Sequence, residues 1–66
     1  MTIQVNGETT PLDRSKTVAE LLEQLRLAPK RVAVEVNERL VKRAWFAETT
    51  LDDGDRVEIV TLVGGG

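Results

Sequence analysis

The residues best placed to do chemistry in this chain are its last three, Gly64-Gly65-Gly66. The reactive group there is the α-carboxylate, not a side chain. Glycine has no Cβ, so such a run offers the thinnest backbone available, able to enter a narrow channel in another protein. Extended, three residues reach about 10 Å, at roughly 3.3–3.6 Å each. That distance carries a terminal carboxylate from a domain surface into an enclosed site. With a pKa of about 3.5 the carboxylate is an anion at neutral pH and a poor electrophile, so it needs activation before it can accept a nucleophile. The plain alternative is a frayed end or a linker remnant. A linker normally brings Ser or a tag residue, and none is present.

The other chemistry-bearing residue types are sparse. The 66 residues include no cysteine and no histidine. Disulfides, Cys-ligated metals, thiol nucleophiles and Ser-His-Asp arrangements are therefore excluded, and with histidine goes the commonest general base. Catalysis by this chain alone is not expected. Asp52-Asp53-Gly54-Asp55 suggests calcium at first sight, but an EF-hand loop needs spaced oxygen ligands and a distant bidentate Glu. Asp side chains that bond nearby amides, with Gly supplying a special φ, make a structural turn the better reading. Trp45 is the one Trp, beside Phe46, the one Phe. A lone Trp is more often packing than a stacking platform.

Charge and hydropathy narrow the class further. Nine Lys and Arg against eleven Asp and Glu give a net charge of -2, which argues against nucleic acid as a partner. The opening Met1-Thr2-Ile3-Gln4-Val5 shows no signal-peptide pattern, and no apolar run approaches a membrane span. The expectation is a soluble, cytoplasmic, single small domain.

Ile3 and Val5 alternate with Thr2 and Gln4, a half-buried strand, and Asn6-Gly7 is the strongest short hairpin signal. Glu8 to Leu12 returns, with Pro11 placing that strand at a sheet edge. Thr17 and Glu20 form a T-x-x-E capping box ahead of Val18, Leu21, Leu22 and Leu25, one apolar stripe on a helix that Pro29 prevents from continuing past Leu27-Ala28. Val32, Val34 and Val36 mark a third strand and Leu40-Val41 a short fourth. Ala44-Trp45-Phe46-Ala47 reads as a helical turn or loop whose aromatics close one end of the core. Arg56 to Val63 is the last strand, with apolar residues at both parities of its second half, as in a central strand buried on both faces. Lys30, Arg31, Arg39, Lys42 and Arg43 read as ordinary solvated charges.

Hairpin, helix and then further strands, with the first and last paired side by side at the centre, make an α+β plan. It is a β-grasp domain, a mixed sheet of four to five strands with one main helix on one face. Residues 1–63 form the domain and residues 64–66 a flexible tail.

A β-grasp pattern ending in bare glycines resembles the ubiquitin-like sulfur carriers of the ThiS type. The resemblance covers the whole chain. It is carried by Ile3-Gln4-Val5-Asn6-Gly7, by Val32-Ala33-Val34-Glu35-Val36-Asn37, by Leu51-Asp52-Asp53-Gly54-Asp55-Arg56-Val57-Glu58-Ile59-Val60, and by Val63-Gly64-Gly65-Gly66. A proline often found near Lys42 in that family is absent. The resemblance implies that the Gly66 carboxylate, preceded by Gly65, is adenylated by an E1-like adenylyltransferase of the ThiF type. It is then thiocarboxylated with sulfur from a donor protein, and sulfur passes to thiazole synthase of the ThiG type. ATP and magnesium belong to the activating partner, and the chain holds no cofactor of its own. A MoaD-like small subunit of molybdopterin synthase shares the fold and ending, though such subunits tend to be longer. A ubiquitin-like binding module with an incidental glycine end is the third reading.

Strand alternation then assigns a docking surface. If Val57 and Ile59 face the helix with Ile3 and Val34, then Val60 and Leu62 point the other way, joined by Ala33 from the neighbouring strand. A single-helix domain has nothing else to cover that side. With Gly64, these three form the expected partner-binding set.

Overall fold

Asn6 and Gly7 both take left-handed backbone conformations, φ 50° and 82°. A two-residue hairpin loop of the primed type demands this at both positions. The loop joins β1 (Thr2–Val5) to β2 (Glu8–Pro11) in antiparallel register. The structure is a computed structural model and describes residues 1–62.

Thr17 caps helix α1 (Val18–Gln24): its hydroxyl accepts from the Glu20 N–H at 3.1 Å while the Glu20 carboxylate accepts from the Thr17 N–H at 2.9 Å. Val18, Leu21 and Leu22 are the buried stripe. The helix stops before Pro29. Arg26 adopts φ 60°, its N–H bonds the Glu23 carbonyl and the Leu27 N–H bonds the Leu22 carbonyl. That pair of bonds is a Schellman close, with an arginine in the position glycine usually takes. Pro29–Arg31 then forms a 3₁₀ turn leading into β3 (Val32–Val36).

A second left-handed pair, Asn37 and Glu38, turns β3 back into β4 (Arg39–Val41). A 3₁₀ turn over Arg43–Trp45 follows, and β5 (Arg56–Thr61) ends the described chain. The sheet order is β2-β1-β5-β3-β4, with β1 and β5 parallel and the other neighbours antiparallel. Five strands with one helix across one face make a β-grasp fold.

Ile3, Val18, Leu21, Leu22, Val34, Leu51 and Val57 are the most deeply buried side chains, joined by Leu12, Val32, Phe46 and Ile59. Two expectations are corrected here. β5 is central, but it is buried on one face only; its outward residues Glu58 and Val60 are exposed, because one helix covers one side of a sheet. Of the two aromatics only Phe46 closes the core. Trp45 stands 56% exposed.

Candidate functional site

The site is the end of β5 that runs toward the glycines. Pairing on both sides positions this strand: Gln4 and Val5 of β1 stand opposite Arg56 and Val57, and five residues of β3 oppose Val57 to Thr61. Val57 and Ile59 sit under the helix, which sends Val60 and Leu62 outward at 60% and 51% exposure. Ala33, half-buried, is the direct cross-strand partner of Val60. The three residues expected to share one surface at the strand end are thus brought together. The Leu62 N–H donates to the Arg31 carbonyl at 2.7 Å and ties the end of the described strand to the start of β3. Gly64, Gly65 and Gly66 lie outside the described residues.

Glu35 stands opposite Glu58 on the same outer face, both exposed. Leu40, opposite Glu35 on β4, extends that face toward the sheet edge at 66% exposure. Lys30, Arg31, Lys42 and Arg43 are exposed around the end of the sheet where β5 finishes, since β3 starts there and β4 ends there.

The acidic turn does structural duty. Asp53 Oδ1 accepts from the Thr2 N–H at 2.7 Å, and Asp55 accepts from the Asp52 N–H at 2.8 Å and from Asn37 Nδ2 at 3.0 Å. Gly54 takes φ 85°. Among the described residues no group of three His, Cys, Asp or Glu side chains is placed to hold a metal ion. The most perturbed titrating group is Glu20. Its hydrogen bond to Arg14 and its bonds from Thr17 hold it down at about 2. That carboxylate belongs to the helix cap, not to the strand end.

Asn6, a turn former by its sequence context, has a second role in the structure. The Asn6 side chain bonds the Ile59 backbone in both directions, at 3.1 and 2.7 Å, where β1 has already turned away. Asn rather than Asp before Gly7 was the available signal, since only the amide both donates and accepts.

A model of the ThiS family matches residues 3–66. The chain belongs to that family. It is 41% identical over 64 residues to the sulfur carrier protein ThiS of Thermus thermophilus, covering 97% of this chain and 98% of that one. The crystal structure of the thiamine biosynthesis protein ThiS from Geobacter metallireducens superposes with a TM-score of 0.86, at 40% identity over the full length of both chains. A thiazole synthase of Paramagnetospirillum magneticum is 39% identical over all 66 residues. This ThiS-family chain spans only 20% of that longer protein. No helix among its described residues is long and apolar enough to cross a membrane.

Proposed function

We propose that this chain carries sulfur for formation of the thiamine thiazole, with the Gly66 carboxylate as the group that is loaded. The observation that carries the reading is the family match, which runs through all three glycines to residue 66. The chemistry requires outside help. A carboxylate oxygen attacks the α-phosphorus of ATP, pyrophosphate leaves, and the acyl carbon becomes electrophilic. A reduced sulfur nucleophile then displaces AMP and leaves a thiocarboxylate. The chain contributes no cysteine or histidine to these steps, so they fall to an E1-like adenylyltransferase with its own magnesium and to a sulfur donor. The chain is a co-substrate, acting in the cytoplasm.

Thiazole synthase is the acceptor in this reading. A relative of that name includes within one polypeptide a stretch similar to the whole of this chain. Val60, Leu62 and Ala33 supply the apolar contact beside the glycines, and Gly64 and Gly65 pass through the partner's channel. Exposed apolar residues grouped at one strand end suit such docking better than solvent.

The test is a mass measurement after incubation with a ThiF-type enzyme, ATP and a sulfur source. A carrier gains the mass difference of sulfur replacing oxygen at the C-terminus. An unchanged mass, with the same enzyme active on a known carrier, would make the chain a binding module instead.

A further inference from the structure

Backbone hydrogen bonding along β5 leaves one position open. The Leu62 N–H points to β3, where it bonds Arg31, and antiparallel alternation turns the N–H and C=O of Val57, Ile59 and Thr61 to the opposite side, toward β1. On that side the Val57 carbonyl accepts from the Asn6 N–H, and the Ile59 N–H and carbonyl are both held by the Asn6 side chain. β1 then ends, and the Asn6-Gly7 turn carries the chain away from β5 into β2 on the far side of β1. Thr61, the next residue facing that way, is exposed, and among the described residues nothing bonds its N–H or carbonyl. The centre of the sheet therefore becomes an edge just where β5 runs on toward the glycines.

We propose that this edge at Thr61 receives an extended backbone segment of thiazole synthase, which adds beside β5 as a strand. A donor and an acceptor set side by side in β geometry match main chain better than any side chain, and strand addition at a free edge is an established mode of protein recognition. Val60 and Leu62 flank Thr61 on the outer face, so the incoming segment meets two exposed apolar side chains as it pairs. Backbone pairing supplies the register and these side chains the selectivity. The inference rests on the carrier reading and specifies how the partner grips the strand.

Among the described residues nothing uses the Thr61 N–H, so it can be removed selectively. Thr61→Pro removes it and places a ring on the edge, while Val60 before it already holds the extended conformation that a proline requires. A semisynthetic ester at the Val60–Thr61 bond removes the N–H without adding a ring, weakening only the Val60 carbonyl on the β3 side, and decides the matter if the proline variant fails to fold. Titration against purified thiazole synthase is expected to show binding about tenfold or more weaker for both, on the scale of a lost hydrogen bond. Melting should be unchanged for Thr61→Pro and only slightly lowered for the ester, and Thr61→Val should bind as wild type. Wild-type affinity in the ester and proline proteins would overturn the proposal. So would concentration-dependent self-association that Thr61→Pro abolishes, since the edge would then serve a second copy. Failure of the wild-type chain both to bind the synthase and to be thiocarboxylated would overturn the carrier reading together with this one.

Discussion

Asn6 and Ile59, fifty-three residues apart, are joined through one side chain acting as a piece of strand: Asn6 Nδ2 donates to the Ile59 carbonyl and Asn6 Oδ1 accepts from the Ile59 N–H. The amide continues the parallel β1–β5 ladder for one residue after β1 itself has turned away. It spares a largely buried residue two unsatisfied backbone groups.

Asn6→Gly keeps the left-handed turn conformation and removes both bonds. The expected cost is about 1–3 kcal/mol, the penalty for leaving buried backbone groups without partners. Urea denaturation measures it. A loss below about 0.5 kcal/mol would show that water replaces the amide without penalty.

The outer face separates binding from stability. Val60→Asp and Leu62→Asp place a charge where the side chain is already more than half exposed, so circular dichroism should show a folded domain. Capture by the activating enzyme and by thiazole synthase should fall sharply. Leu21→Ala, at a fully buried helix position, should cost about 2–5 kcal/mol through lost burial and a residual cavity. Unfolding by Val60→Asp would mean that this side of β5 is core.

Deletion tests whether the glycines are separable from the fold. Among the described residues every buried core residue falls between Ile3 and Ile59, and deleting Gly65 and Gly66 should leave the melting temperature nearly unchanged while abolishing thiocarboxylate formation. Gly65→Trp should also block loading, by clash in the partner's channel. Normal loading of that variant, read by mass, would remove the steric reason for glycine.

Acid sensitivity of the helix cap has a defined sign. Arg14 and the Thr17 backbone lower Glu20 from 4.5 to about 2 in the folded state. The unfolded chain therefore binds the proton more readily. The contribution is fully present above about pH 4.5 and is lost as the pH falls toward 2. Thermal melts across that window should fall less steeply for Glu20→Gln than for the wild type. Thr17→Ala should cost about 0.5–2 kcal/mol at neutral pH, as N-cap removal does. Parallel pH profiles for wild type and Glu20→Gln would discount the Arg14–Glu20 pair.

What the sequence determined by itself was local. Asn6-Gly7, Thr17-x-x-Glu20, the alternating valines of β3 and the Asp-Gly turn each act within a few residues, so each was legible without the fold. The outward parity of Val60 and Leu62 followed as well, because alternation along a strand is rigid once Val57 and Ile59 face the core. Tertiary structure decided the rest. The helix ends at Gln24, short of the Leu27-Ala28 limit that Pro29 sets, because a Schellman close through Arg26 returns Leu27 to the core beside Leu22, and an arginine in the left-handed region carries no sequence signal for that. Trp45 lies outside while its neighbour Phe46 is inside, a choice made by the helix, whose Ala19 N–H bonds the Phe46 carbonyl. The Asn6–Ile59 clasp and the free edge at Thr61 exist only once β1 and β5 lie side by side. Where one strand outlasts its neighbour depends on register between distant segments, which no local pattern encodes.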